Sequence, residues 1–153
     1  MNNKLPLNRE MILVRMSGIQ DEVAELEKLG EINFSDYEKG DGHKLAEYHL
    51  HRALEGVFNI GTHVLSRIPG GKVDEYKQIA AKLGEYKIVS RDFAANNLTK
   101  MAKYRNRLVH LYAQVTPQET YDIIHNNLGD FDAFLKAVKN LLENPQKLGL
   151  DME

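Results

Sequence analysis

The longest periodic stretch of this 153-residue chain covers residues 43–68 and reads HKLAEYHLHRALEGVFNIGTHVLSRI. Its small and apolar residues recur every three or four positions, which places them on one face of an α-helix. That face consists of Ala46, Leu50, Ala53, Leu54, Val57, Gly61, Val64, Leu65 and Ile68. Because proline interrupts a helix, the following Pro69-Gly70-Gly71 predicts that this helix ends near Ile68. We therefore expect a long helix with one buried face.

Another helix is predicted before this stretch, between Asn8 and about Lys28. Its apolar residues, at the same helical spacing, are Ile12, Met16, Ile19, Val23 and Leu26. Gly30 is placed to end this helix, since glycine commonly follows the last helical residue. The segment from Asn33 to Gly42 predicts a loop or a frayed helix start, because it closes on Gly40-Asp41-Gly42.

Three further helices are predicted after residue 71. One covers about Val73 to Leu83, and another, capped by Ser90, continues to about Val115. Thr116-Pro117-Gln118-Glu119 then predicts a sharp helix start, since it combines an N-cap threonine, a proline at the first helical position and a capping-box glutamate. The last helix, which ends before Pro145, has the apolar residues Tyr121, Ile124, Leu128, Phe131, Phe134, Leu135, Val138 and Leu142.

No segment shows the alternation of apolar and polar residues that predicts a strand. The sequence therefore predicts an all-α fold, an up-and-down bundle of four to five helices in a single domain covering residues 1–153. Hydrophobic residues make up 42% of the chain and charged residues 27%, as in ordinary globular proteins. A chain of this length can bury a sizeable core, so the composition excludes a disordered protein.

Cysteine is absent, which excludes a disulfide scaffold, a thiolate zinc site and a cysteine nucleophile. Its absence also favours a reducing compartment. No long apolar stretch follows Met1-Asn2-Asn3-Lys4, as a signal peptide would require, and none approaches the ~18 apolar residues of a membrane span. We expect a cytoplasmic protein that does not bind a membrane.

The basic residues are concentrated between Lys87 and Pro117. This stretch holds six lysines and arginines against one acid, a balance of +5 in a chain whose net charge is −2, so the remainder carries −7. A phosphate-binding surface on an acidic protein would have this distribution. A solvated helix with basic residues toward its C-terminal end would have it too, and on charge alone that interpretation is favoured.

One run within the basic stretch combines the residues needed to cleave RNA without a metal. This run is Lys103-Tyr104-Arg105-Asn106-Arg107-Leu108-Val109-His110-Leu111-Tyr112. Arg105 offers a permanently charged fork for phosphate oxygens, and His110 can act as an acid or a base near neutral pH. Asn106 can orient His110 or the phosphate, and Tyr112 can stack on a base or bind a phosphate. The same residues also fit an ordinary surface, with Tyr112 as a half-buried packing aromatic.

The predicted helix places these polar residues away from the core. At ~100° per residue, the core-facing stripe would consist of Met101, Tyr104, Leu108 and Leu111. The opposite arc carries Arg105, Asn106, His110 and Tyr112, with Val109 in its middle. Arg105 and His110 are ~140° apart on an ideal helix, so a bound phosphate or a second subunit is needed to bring them into one site. Tyr112 is predicted on nearly the same side as Arg105.

A polar stripe formed by His51, Glu55, Asn59 and His63 repeats every four residues along the helix of residues 43–68. Histidine and glutamate four residues apart can share a metal ion, but the strict His-Glu-x-x-His zinc pattern is missing. A solvated or interface-facing stripe is therefore the favoured interpretation. We expect neither a metal nor another cofactor.

The motif residues, placed late in an all-helical chain of this length, resemble the HEPN superfamily and, more narrowly, the HepT-type ribonuclease toxins. The family signature is Arg, a polar residue, three variable residues, His, any residue and Tyr. All four signature positions are met here, by Arg105, Asn106, His110 and Tyr112. The run from His51 to Glu55, with a histidine eight residues after Glu55, is also similar to that family's second helix.

The resemblance implies a metal-independent endoribonuclease that acts as the toxin of a toxin–antitoxin system. It implies a homodimer in which the two motifs face a shared cleft that binds RNA. Arg105 and His110 would be the catalytic residues, and Asn106 and Tyr112 would support them.

The resemblance also implies a partner, a nucleotidyltransferase antitoxin of the MntA kind that adenylylates Tyr112. Glu55 and His63 would line the cleft near the motif. An alternative is a non-catalytic HEPN module that binds a nucleotide or a nucleotidyltransferase partner. Because a binding module has no need of His110, the presence of both Arg105 and His110 favours the ribonuclease.

Overall fold

The computed structural model describes residues 5–150 and 152 of the protein, and for Tyr112 and Leu148 it describes the backbone alone. The chain forms the α-helices α1 (Arg9–Leu29), α2 (Phe34–Lys39), α3 (Gly42–Ser66), α4 (Tyr76–Glu85), α5 (Arg91–Phe93), α6 (Thr99–His110), α7 (Pro117–Asn126) and α8 (Gly129–Glu143). A π-helical turn, Ala94–Leu98, joins α5 to α6, and 3₁₀ turns cover Tyr112–Gln114 and Pro145–Leu148.

The described residues form no β-strand, and their only β-type pairing is a single parallel bridge between Leu7 and Met152. No helix in these ranges is both long and apolar enough to cross a membrane. The expectation drawn from Met1-Asn2-Asn3-Lys4 falls outside the described residues.

α3 lies at the centre of the bundle and packs antiparallel to α1. The direction follows from two contacts, since His63 near the end of α3 meets Asn8 at the start of α1, and Gly56 meets Ile19. A Cβ atom on Gly56 would lie 2.7 Å from Cγ1 of Ile19, so this close approach requires a glycine. α3 also contacts α4, α6, α7 and α8, which confirms the predicted all-α bundle.

The face predicted to be buried on residues 43–68 forms the middle of the core. All of its residues are buried except Ile68, which is half-buried beyond the end of α3. Each fully buried leucine or valine contributes about 1.5–3 kcal/mol to folding. Phe58, on the same helix, is also fully buried and provides a support for the site described below.

Two helix starts that depend on local capping are as predicted. Ser90 Oγ accepts a hydrogen bond from the backbone N–H of Phe93 at 3.1 Å and so caps α5. At α7 the capping box is complete, because Thr116 Oγ1 accepts from the Glu119 N–H at 3.2 Å and Glu119 Oε2 accepts from the Thr116 N–H at 3.0 Å. The start of α7 is therefore fixed by four consecutive residues.

The helix that carries the motif is interrupted once and ends earlier than predicted. In the π-helical turn, Thr99 Oγ1 donates to the backbone carbonyl of Ala94 at 2.7 Å. α6 ends at His110 rather than at Val115, because Leu111 leaves the helical conformation with φ −129° and ψ 33°. The chain then turns through the 3₁₀ segment Tyr112–Gln114, which Arg107 holds by donating from Nη2 to the Gln114 carbonyl at 3.2 Å.

The early end of α6 changes the predicted core-facing stripe. Met101 and Leu108 are buried and Tyr104 is partly buried, as predicted. Leu111 is 48% exposed, so its predicted place in the core is wrong. An exposed leucine therefore lies directly after His110.

The single last helix predicted from the sequence is two helices, α7 and α8. Residues 126–129 contain two asparagines and a glycine, which weaken a helix interior, and Asn127 closes α7 with φ −123°. The break lets α7 pack against α2 while α8 packs against α1 and α3. α2 itself forms where a loop or a frayed helix start was predicted, and α4 begins at Tyr76 rather than at Val73.

Candidate active site

Arg105 is held by contacts with three residues. Its Nε donates to Oε1 of Glu55 on α3 at 2.5 Å, and its Nη1 donates to Oδ1 of Asn106 at 3.3 Å. Its Cζ lies 4.2 Å from the centre of the ring of Tyr76, the first residue of α4. The Arg105 side chain is only 18% exposed. These contacts leave the guanidinium little freedom to rotate.

Glu55 connects Arg105 to two further residues. Tyr76 Oη lies 3.3 Å from each carboxylate oxygen, and His51 Nε2 lies 3.7 Å from Oε1. Burial, together with the negative charge of Glu55, raises the pKa of Tyr76, so the hydroxyl stays protonated and donates to the carboxylate. The structure thus brings Glu55 to the motif arginine across 50 residues of sequence.

An open depression lies beside Arg105 on the protein surface. Residues 74–77 line it on one side, and Arg105 and Asn106 line it on the other. Over the described part of the chain, Nη2 of Arg105 donates to no protein acceptor, so this group remains available to an anion. The lining includes the carboxylates of Asp74 and Glu75 as well as Lys77, so the depression as a whole is not strongly basic. The part of it that matches a phosphate group in geometry and charge is the Arg105 guanidinium.

His110 is exposed at the last position of α6. Its side chain has no hydrogen-bond or ion-pair partner within the described ranges, so the imidazole is free to exchange protons with a bound molecule. Within one chain the structure does not bring His110 into contact with Arg105. Asn106, one turn before His110, contacts Arg105 instead.

Tyr112 lies beyond α6, in the 3₁₀ turn Tyr112–Gln114. The predicted placement of Tyr112 on the same side as Arg105 assumed a continuous helix, whereas α6 ends at His110. The Tyr112 side chain, to which the sequence assigned a supporting and a modified role, lies outside the described part of the structure.

Arg107 links the end of α6 to the 3₁₀ turn that follows it and to the start of α7. Its Nη1 and Nη2 donate to Oε1 and Oε2 of Glu119 at 2.5 and 3.2 Å, and Nη2 also donates to the Gln114 carbonyl at 3.2 Å. The hydrogen bond from Arg107 lowers the pKa of Glu119, so the carboxylate that caps α7 through Thr116 stays ionised. The end of α6, the 3₁₀ turn and the start of α7 are thereby tied together.

His63 contacts the start of α1 and makes no contact with Arg105 among the hydrogen bonds and ion pairs of the described residues. Its Nε2 accepts a hydrogen bond from the backbone N–H of Asn8 at 3.0 Å, at the start of α1. Burial, with Arg67 and Arg15 nearby, lowers the pKa of His63 and keeps it in the neutral form that can accept this bond. Of the predicted polar stripe, only His51 and Glu55 therefore contact one another near the motif.

Comparison with known proteins found one similar curated protein and several similar structures. The tRNA nuclease HepT of Aphanizomenon flos-aquae (strain 2012/KM1/D3) is 25% identical over 133 residues, which cover 86% of this chain and 90% of the relative. A structure of a tri-AMPylated Shewanella oneidensis HEPN toxin in complex with MNT antitoxin matches with a TM-score of 0.78 at 18% identity, covering 86% of this chain and 98% of that one.

A structure of the cytosolic protein YutE from Bacillus subtilis, whose function is unknown, matches with a TM-score of 0.75 at 20% identity. The match covers 92% of this chain and 95% of that one. At these identities, the two structural matches establish that the helical fold is shared.

The family model described as ribonuclease HepT-like matches residues 19–138 of this chain. The matched residues run from within α1 to within α8 and include Glu55, Arg105, Asn106, His110 and Tyr112. They cover well over half of the sequence and include the motif on which the resemblance to HepT-type proteins was based. The chain therefore belongs to the ribonuclease HepT-like family.

Proposed function

We propose that the protein is an endoribonuclease toxin that cleaves RNA by acid–base chemistry without a metal. This proposal rests mainly on the contacts and the exposure of two side chains on α6. Arg105 is bound by Glu55, Asn106 and Tyr76 at the edge of an open depression, while His110 is exposed and unpaired among the described residues. Because the similar protein of Aphanizomenon flos-aquae is named a tRNA nuclease, tRNA is the first substrate to test.

Each motif residue has a defined part in this reaction. The 2′-hydroxyl of the RNA gives up its proton and its oxygen attacks the adjacent phosphorus, while the 5′-oxygen of the next nucleotide leaves and takes up a proton. His110 transfers these protons, and Arg105 stabilises the negative charge that builds up on the phosphoryl oxygens. Asn106 orients Arg105, and Tyr112 binds a base or a phosphate.

The purified protein is expected to cleave a tRNA transcript in buffer containing EDTA. The products should carry a 2′,3′-cyclic phosphate and a 5′-hydroxyl, because the nucleophile is the neighbouring 2′-hydroxyl. The same tRNA with every 2′-hydroxyl methylated serves as the matched control and should stay intact. Cleavage that stops in EDTA would contradict the proposal, and binding without any cleavage would favour the non-catalytic module.

We further propose that the active form is a homodimer. Arg105 and His110 do not meet within one chain, so a second copy could complete the site. The half-buried Val109 and the exposed Leu111 beside His110 offer apolar surface for such a contact. Size-exclusion chromatography with light scattering should give twice the mass of one chain at micromolar concentration, and a monomer under those conditions would contradict the shared cleft.

The partner that we propose is a nucleotidyltransferase antitoxin that adenylylates Tyr112. Support comes from the structural match to an AMPylated HEPN toxin bound to its MNT antitoxin. An AMP group adds a negative phosphate and a base, which would compete with RNA for Arg105 and fill the depression. Adenylylation should therefore block RNA binding without unfolding the bundle.

Co-expression with such an antitoxin should raise the intact mass of the protein by whole AMP units. Tyr112→Phe should show no increase, because it lacks the acceptor hydroxyl, and it should resist neutralisation. Tyr48→Phe, at an exposed tyrosine on α3, is the matched control and should be modified like the wild type. Full neutralisation at unchanged wild-type mass would mean that the antitoxin inhibits by binding alone.

A further inference from the structure

We propose that Tyr76 is a positioning residue that holds the Arg105 guanidinium in the orientation needed to bind the reacting phosphate. This inference rests on the ribonuclease function proposed above. Tyr76 is the first residue of α4 and lies far from the motif in sequence. No feature of the sequence pointed to it.

The ring of Tyr76 connects Arg105 to the hydrophobic core. It stacks on Phe58 with 5.0 Å between the ring centres and an angle of 27° between the ring planes. Phe58 is fully buried, so it fixes the tyrosine ring from the core side. Arg105 Cζ then lies 4.2 Å from the centre of the same ring. At this distance the cation is attracted to the face of the aromatic ring, which favours one orientation of the guanidinium.

The hydroxyl of Tyr76 gives Arg105 a second, indirect support. It lies 3.3 Å from both oxygens of Glu55, and Oε1 of that carboxylate accepts the 2.5 Å hydrogen bond from Arg105 Nε. Tyr76 thus contacts the guanidinium directly with its ring and orients the carboxylate with its hydroxyl. Without Tyr76, the bond from Nε to Glu55 and the longer 3.3 Å bond from Nη1 to Asn106 would remain, and nothing would restrain the guanidinium from the side of the ring.

The orientation of the Arg105 guanidinium matters because it determines which of its nitrogens is left to bind a phosphate. Nε is used by Glu55 and Nη1 by Asn106, while Nη2 donates to no acceptor within the residues described. Tyr76 also lines the depression beside Arg105. A guanidinium that is fixed before the substrate arrives stabilises the developing phosphoryl charge without reorganising, and this advantage affects the chemical step more than ground-state binding.

Three variants separate this role from a purely structural one. Tyr76→Leu removes both supports, Tyr76→Phe keeps the ring and removes the hydroxyl, and Tyr86→Leu is the matched control. Tyr86 lies just after α4, and its ring centre is 5.6 Å from Nζ of Lys82, so it makes a similar cation–ring contact away from the motif. For each variant we would measure kcat on the tRNA transcript, the Kd of the 2′-O-methylated tRNA, and the unfolding temperature.

Tyr76→Leu should lower kcat about 10-fold while the Kd changes less than about 2-fold. Tyr76→Phe should lose no more than about 3-fold in kcat, because the ring contact remains. Tyr86→Leu should leave kcat unchanged. Equal kcat values for Tyr76→Leu and Tyr86→Leu would overturn the proposal. So would a loss in Tyr76→Leu that appears in Kd rather than in kcat.

The orientation itself can be observed without any activity. The ¹⁵N–¹H signal of Arg105 Nε, assigned by its absence in Arg105→Lys, should be shifted and ordered in the wild type. It should become mobile in Tyr76→Leu and stay nearly unchanged in Tyr86→Leu. If the wild type cleaves no RNA, the proposed function fails, but this spectrum still decides the positioning role. A signal equally ordered in wild type and Tyr76→Leu overturns that role, and a mobile one supports it.

Discussion

His110→Ala is expected to lower the rate of RNA cleavage by about 10²- to 10⁴-fold, the usual contribution of a general acid–base group. His110 is exposed at the end of α6 and has no partner among the described residues, so its replacement removes the proton carrier without breaking a contact of the fold. The unfolding temperature should therefore stay close to that of the wild type. The measurement is single-turnover cleavage of the tRNA transcript in EDTA.

The control for this variant is His43→Ala, which removes a histidine of α3 that lies outside the candidate site. It should cleave at the wild-type rate. If His110→Ala cleaves as fast as the control while EDTA abolishes the wild-type activity, the acid–base mechanism proposed here is wrong and a metal must supply the chemistry.

Arg105→Ala is expected to lower kcat about 10²- to 10³-fold, the cost of removing one preorganised donor to a developing negative charge. Arg105→Lys should recover little of this loss. A lysine keeps the positive charge but lacks the planar fork, which can bind Glu55 through Nε and a phosphate through its other N–H groups. Cleavage rates of both variants under saturating RNA would test the prediction.

Arg91→Ala is the matched control, because Arg91 is an exposed arginine of the same basic stretch at the start of α5. It should weaken RNA binding slightly, and more so at low salt, with kcat unchanged. Wild-type kcat in Arg105→Lys would show that a point charge is enough and that the geometry around Arg105 is not used.

The features that were predicted correctly from the sequence depend on residues that are close together in the chain, within a few turns of one helix. The stripe on residues 43–68 predicts the buried face of α3, and the capping box predicts the start of α7. Arg105, Asn106 and His110 likewise lie on a single helix, so their relative positions follow from their spacing in the sequence. In each case neighbouring residues determine the outcome, so no knowledge of the rest of the fold is needed.

The features that were missed depend on packing between distant segments. Tyr76 reaches Arg105 because α4 packs against both α3 and α6, and no spacing rule connects a tyrosine to an arginine 29 residues later. Glu119 was identified as a helix cap, but its ion pair with Arg107 depends on how the chain turns after His110. The contact of His63, on α3, with the start of α1 depends on the antiparallel packing of these two helices.

The π-helical turn Ala94–Leu98 uses one residue more per turn than the α-helices on either side of it. Loss of one exposed residue there, such as Ala95, would let α5 and α6 join as one regular helix with the same faces toward the core. A deletion between Arg105 and His110 would instead rotate these two residues by ~100° relative to one another. Between α5 and the end of α6, length differences among homologous chains are therefore expected in the π-helical turn. An alignment that places a gap between Arg105 and His110 would misassign the motif.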